Sequence, residues 1–209
     1  KNNRLFTVSL LYTASSFLSM GINFILVPFY TDLLSIEEFG KVSALTIFFN
    51  FFVIISVGGT DSMVARFYFD YYKNPKDLKL FLGSTILQMF SGGVLLNILI
   101  ILVLVFVSKT IVNIDVYPYI IMLLVAALVG VPSRIIIQYF RVKEKVKYYL
   151  AINIGYTLCF VLLNIVFILG LKYGVNGYIY SLLISNLLFG LISFIIILNV
   201  VSVNFNKNN

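Results

Sequence analysis

Histidine and tryptophan are both missing from this chain of 209 residues, cysteine occurs once, and only 11% of the residues are charged. Each shortage excludes something. Without histidine there is no imidazole to act as a general base or to ligate a metal. Cys159, alone in an apolar run, can form no disulfide within the chain and no metal site by itself. Its simplest reading is a small buried hydrophobe. So little charge excludes an ordinary soluble domain, which carries about 25%. No Ser/Gly-rich or Pro-rich linker, low-complexity block or convincing internal repeat interrupts the sequence. Residues 1–209 are therefore expected to form one unit, with no cofactor and no catalytic centre.

What is abundant is apolar. Hydrophobic residues make up 61% of the chain, and the mean hydropathy is +1.04. This composition predicts an integral membrane protein whose first partner is the lipid bilayer. The 20 Phe and 14 Tyr must supply any aromatic belt at the membrane surfaces. The net charge of +7 is better explained by membrane topology than by nucleic acid, because Lys and Arg collect on the cytoplasmic side. The first apolar run is long enough to span and carries no signal-peptide cleavage site. As the sequence opens on Lys1 rather than Met, it is expected to be a piece of a longer product.

Apolar runs, each near or above the ~20 residues a spanning helix needs, predict an all-α bundle of six transmembrane helices joined by short links. They cover about Leu5–Leu34, Lys41–Ala65, Leu80–Val107, Pro118–Phe140, Tyr148–Leu171 and Tyr178–Val201. Ser35 followed by Glu38 reads as a capping box opening the second helix. In the fourth, Ala126, Ala127, Gly130 and Pro132 predict close packing and a kink. With six spans, Lys1, Arg4, Arg66, Lys73, Lys76, Lys79, Arg134, Arg141, Lys143, Lys145, Lys147 and Lys207 share one side. Lys41, Lys109 and Lys172, the rest of the fifteen, share the other. That imbalance predicts cytoplasmic termini.

Polar residues inside these runs are the candidate site residues. Asp61 and Arg66 end the second run. On a straight helix centred near Phe52 or Val53, Asp61 would lie about 12 Å and Arg66 about 20 Å from the midplane. The hydrocarbon is about 15 Å deep on each side. Asp61 should therefore face the bundle interior or a water-filled cleft, whereas Arg66 can equally well snorkel to the headgroups. Five residues apart, the two point about 140° from each other and do not form a pair. Arg134, just after Pro132, reads either as a vestibule wall or as an interfacial anchor. Asn23, Asn50, Gln88, Asn97, Asn153, Asn164 and Asn186 suit hydrogen bonds between helices, and together they could line a hydrophilic cleft. The basic run from Arg141 to Lys147 reads as a topology signal touching anionic lipid.

The order of these features resembles a known family. Its marks are Glu37-Glu38-Phe39-Gly40 after the first helix and Gly59-x-Asp61-Ser62-x-x-x-Arg66-Phe67-Tyr68-Phe69 ending the second. Further marks are Arg134 with Tyr139-Phe140-Arg141-Val142-Lys143-Glu144-Lys145, and Tyr173-Gly174-Val175-Asn176-Gly177 before the sixth helix. Over nearly its whole length the chain looks like the N-terminal half of a Wzx-type polysaccharide (O-antigen) flippase, in the polysaccharide-transport branch of the MOP exporter superfamily. The resemblance implies a multi-pass protein of the bacterial inner membrane with roughly 12–14 helices in two six-helix lobes around a central cleft, working by alternating access. It also implies, as cargo, an undecaprenyl-pyrophosphate-linked oligosaccharide for cell-surface polysaccharide such as lipopolysaccharide. The pyrophosphate would sit in a basic cleft. Substrate-binding candidates are then Asp61, Arg66 and Arg134, with Asn23 and Asn50 for the sugar.

Two departures stand out. The first helix has no arginine in its interior, so the anion site of the lipid II flippase branch does not transfer. The second lobe is not part of this sequence, so a partner lobe is expected, from the same full-length chain or another protomer. Two alternatives are weighed. A cation-coupled MATE-like exporter would want a carboxylate deep in the first helix, and none is there. A membrane polysaccharide polymerase or glycosyltransferase would want a long extramembrane loop, and every link here is short.

Overall fold

Residues 2–71, 73–111 and 117–203 are described by the computed structural model of the chain. Among them the regular structure is helical throughout: α1 (Asn2–Leu33), α2 (Ile36–Val57), α3 (Thr60–Tyr71), α4 (Pro75–Ile111), α5 (Tyr117–Val129), α6 (Val131–Val142), α7 (Val146–Asn164), a π-helical turn (Ile165–Gly170) and α8 (Gly174–Val203). This is the all-α membrane bundle that the composition predicts. Five stretches are long and apolar enough to cross a membrane: Val8–Leu33, Ile36–Tyr71, Pro118–Val142, Val146–Gly170 and Gly174–Asn199. They correspond to the expected first, second, fourth, fifth and sixth spans. The expected third lies in α4, where the described apolar part is Ser91–Ile100.

Local chemistry explains most of the boundaries. Ser35 Oγ accepts the Glu38 amide at 3.2 Å, and Glu38 Oε2 accepts the Ser35 amide at 3.0 Å. This reciprocal cap satisfies two N-terminal donors that the helix itself cannot. Pro132 falls in the first turn of α6, where its missing amide costs nothing. The kink expected in the fourth span falls at Gly130, a single residue of right-handed conformation between α5 and α6 whose amide still donates to the Ala126 carbonyl at 3.1 Å.

The second span departs from the expectation of one straight helix. Gly58 and Gly59 adopt φ of +53° and +74°, a left-handed conformation that glycine takes without steric cost. The chain stops at Val57 and restarts at Thr60 as α3. Asp61 and Arg66 thus belong to a separate short helix, and depths counted along a straight rod through Phe52 do not apply to them.

Two apolar cores stack along the bundle. One joins Leu26 and Tyr30 of α1, and Leu34 just after it, to α2, α5, the π turn and the first half of α8. The other joins α3, the start of α4, α6, the start of α7 and Ile197 of α8. Outside these cores the surface is strongly apolar. Phe6, Phe17, Met20, Phe24, Ile47 and Leu87 are all at least 70% exposed, as lipid-facing side chains are.

Candidate functional site

A polar cleft opens between α6, α7 and α8, on the second core's side of Gly130. It is a cleft of about 110 Å³ lined by Ser133, Arg134, Ile137, Ile152, Asn153, Tyr156, Thr157 and Asn186. A space of this size admits water or a functional group of a ligand, because one water needs only about 10–15 Å³ by the same kind of measure.

Close packing of glycine builds the walls. A Cβ at Gly190 would collide with the Val129 carbonyl oxygen, and one at Gly130 with the Asn186 side chain. Glycine at both positions lets α8 lie directly against the α5–α6 junction. Gly155 does the same for α7, where a Cβ would sit 3.1 Å from the Phe189 ring.

The lining is held by uncharged hydrogen bonds. Asn186 Nδ2 donates to the Tyr156 hydroxyl at 3.1 Å and to the Leu182 carbonyl at 2.8 Å. Asn153 Nδ2 donates to Ser15 Oγ at 2.9 Å and Ser19 Oγ at 3.2 Å, and Thr157 Oγ1 donates to Ser19 Oγ at 3.2 Å. Such interhelical bonds average about 0.6 kcal/mol in membranes. They orient α1 against α7 but cannot hold it alone. Its apolar anchors are Leu26 and Tyr30, with Leu34 just after it, at the other end.

Arg134 supplies the charge. Its side chain is exposed to the cleft, and among the described residues it makes no ion pair. Arginine inside a membrane span is costly unless it is paired or reaches water. An open polar cleft meets the second condition, and an anion entering it would meet the first.

Of the other expected site residues, Arg66 is exposed on α3, with its guanidinium 5.4 Å from the Phe67 ring centre. Asn50 is exposed on α2 and does not line the cleft. The side chains of Asp61 and Asn23 lie outside the described residues. Among the asparagines expected to bridge helices, Asn97 donates to Ser56 Oγ at 2.8 Å, and Asn164 accepts from the Tyr30 hydroxyl at 2.8 Å. Asn153 and Asn186 bridge helices while also lining the cleft. Tyr156, Thr157, Ser133, Ser15 and Ser19 do not stand out in the sequence. Their signal is helical spacing: Ser15 and Ser19 are four apart, as are Asn153 and Thr157, so each pair shares one face.

The four sequence marks meet in pairs. Gly174, at φ +54°, leaves room for Glu38, whose Oε1 would be 2.6 Å from a Cβ there. At the opposite end, Tyr68 of α3 packs edge-on to Tyr139 of α6 at 5.8 Å. The marks before α2 and α8 thus form one end of the bundle, and those of α3 and α6 form the other.

Comparison with known proteins gives one match. The family model described as "Polysaccharide biosynthesis protein" matches residues 8–209. Neither the curated proteins nor the solved structures yield a match to the chain.

Proposed function

Because the chain belongs to the polysaccharide biosynthesis protein family, we propose that this multi-pass membrane protein is one lobe of an exporter. The exporter flips a lipid-linked oligosaccharide from the inner to the outer leaflet of a bacterial cytoplasmic membrane. Arg134 carries the reading: a guanidinium with no ion pair among the described residues, set in a polar cleft of an otherwise apolar bundle. In this reading Arg134 attracts the pyrophosphate of an undecaprenyl-linked cargo, and Asn153, Tyr156 and Asn186 offer hydrogen bonds to sugar hydroxyls. The polyprenyl tail stays in lipid beside the apolar outer face. The protein is a transporter and not an enzyme, and its cleft is completed by a second lobe. The break at Gly58–Gly59 and the kink at Gly130 supply joints at which helix segments could reorient during alternating access.

The test uses the full-length protein. Arg134→Ala and Arg66→Ala are made singly and together, and surface polysaccharide is measured at matched membrane expression. Arg134→Ala should lose most of the export. Normal export by the double variant would remove both arginines from the mechanism. A cation-coupled exporter is less well supported, because the only carboxylate in α1 is Asp32, at its end.

A further inference from the structure

The turn between α6 and α7, with the helix ends beside it, carries four cations, Arg141, Lys143, Lys145 and Lys147, against one carboxylate, Glu144. Both flanking helices belong to membrane-spanning stretches, one ending at Val142 and the other starting at Val146. The turn is therefore confined to the level of the lipid headgroups.

Its cations are not free-floating. The Arg141 guanidinium lies 5.2 Å from the Tyr149 ring centre, and Nη2 donates to the Tyr149 hydroxyl at 3.1 Å. Lys145 Nζ is 5.4 Å from the ring centre of Tyr148, which itself stacks on Phe140 at 5.3 Å. Tyr149 is buried, while Tyr148, Arg141, Lys145 and Lys147 are exposed. A core ring, Tyr149, thus holds Arg141, and a surface ring stacked on the buried Phe140 holds Lys145, at little further entropic cost when an anion arrives.

The turn is also short of negative charge. Lys143 is half-buried; burial chiefly, and then the charge of Lys145, push its pKa below the ordinary lysine value. Beside the turn, Tyr12 of α1 meets Tyr149 edge-on at 4.7 Å. Its shielded hydroxyl has no hydrogen-bond partner among the described residues, and Arg141 and Glu144 both act on it electrostatically.

We propose that this turn is a binding site for the headgroup of an anionic phospholipid, with Arg141, Lys145 and Lys147 holding the phosphate and Tyr148 resting against the upper acyl chains. Charge complementarity selects the anionic headgroup, and confinement between two spans selects lipid over a soluble anion. A diffuse topology signal would need charge alone. This site needs the charges where the rings put them.

The test is native mass spectrometry of the full chain in detergent, titrated with phosphatidylglycerol or phosphatidylcholine. Phosphatidylglycerol should be retained roughly tenfold or more in preference, given the strength of surface cation–lipid attraction. Replacing Arg141, Lys145 and Lys147 together by Gln should abolish that preference. Replacing Lys73, Lys76 and Lys172 by Gln removes the same net charge and should leave it intact. Tyr149→Phe, which keeps the ring but loses the hydroxyl, should weaken retention about twofold, the loss of one modest hydrogen bond. If both triple variants lose the preference equally, or neither does, the site does not exist. Displacement of phosphatidylglycerol by a large excess of inorganic phosphate would mark a soluble-anion site and overturn the lipid assignment.

Discussion

Asn153 and Asn164 share one face of α7, because eleven residues bring a helix back to nearly the same angle after about three turns. Both meet α1, through Ser19 and Tyr30, which are also eleven residues apart. Yet their surroundings differ. Asn164 is buried, accepts from Tyr30 and donates to the Phe160 carbonyl at 2.8 Å. The space beside it is about 10 Å³, lined otherwise by apolar groups of Leu26, Phe29, Leu33, Ile165, Ile168 and Leu169. That is the threshold for one water, and both side chains of the pair are buried, so the pair is structural. Asn153 borders about 110 Å³ that also holds Arg134. The same residue type on the same seam is a strut where the space beside it admits at most one water, and a candidate contact where the space is larger and holds an arginine that makes no ion pair among the described residues.

The largest effect comes from destroying the packing that both regions require. Gly190→Leu would drive a side chain into the Val129 backbone, which cannot move aside as a flexible side-chain tip can. The cost should reach or exceed the usual overpacking range of about 1–3 kcal/mol, read as loss of monodisperse protein after extraction. A Cβ at Gly92 would meet nothing within 4 Å, so Gly92→Ala should be neutral or stabilising by up to about 1 kcal/mol. Equal damage from the two would mean that glycine matters here for the helix and not for the contact.

A crossed pair of substitutions separates strut from contact. Arg134→Ala removes an exposed side chain and should change unfolding by no more than about 0.5 kcal/mol. Export per folded molecule should fall roughly tenfold or more, since bonds to charged groups are worth about 1.5–3 kcal/mol. Tyr30→Phe should do the reverse. It strands Asn164 Oδ1 in a buried site and should cost about 1 kcal/mol, leaving export per folded molecule unchanged. If Tyr30→Phe impairs transport without lowering the unfolding midpoint, the tight region is not merely structural. Ser19→Ala, which removes the acceptor of both Asn153 and Thr157 behind the cleft, should cost about 1 kcal/mol, at about 0.6 kcal/mol for each bond.

Much of this is legible in the residues. Apolar run length sets the spans, and the capping box at Ser35 and Glu38 fixes the start of α2 because its chemistry is local. Gly130 and Pro132 announce the kink in the fourth span for the same reason. The break at Gly58–Gly59 escapes the sequence pattern because the charges that follow it, Asp61, Arg66 and Asp70, read as the end of a span and not as the start of a second helix. Only the backbone angles at the two glycines show that the helix stops and restarts there. The cleft is half legible. Arg134, Asn153 and Asn186 stand out as polar residues in apolar runs. Tyr156, Thr157 and the α1 serines do not, since each could equally face its own helix backbone or a neighbour. What assembles them is the approach of α8 to α5 and α6 at glycine, a long-range event with no local signature. The π turn at Ile165–Gly170 likewise has no mark in an unbroken apolar stretch.

The smallest effect tests the edge of the second core, where a charge touches a buried ring. Lys143 Nζ lies 4.6 Å from the Tyr139 ring centre and donates to the Tyr139 hydroxyl. Burial foremost, then Lys145, lowers its pKa from the ordinary value of 10.5. Between that lowered value and 10.5 the unfolded chain binds the proton more tightly than the folded chain does. Folding stability from this group should therefore rise with pH through that window, and the gain should be lost again as pH falls through the folded value. Lys143→Gln removes the titration. The difference in unfolding midpoint between wild type and Lys143→Gln should shift in favour of wild type as pH climbs toward 10.5. A difference that stays flat would show that the ammonium reaches water freely and that the second core is open at this edge too. The contrast between a tight end and a roomy cleft would then rest on the surroundings of Asn164 alone.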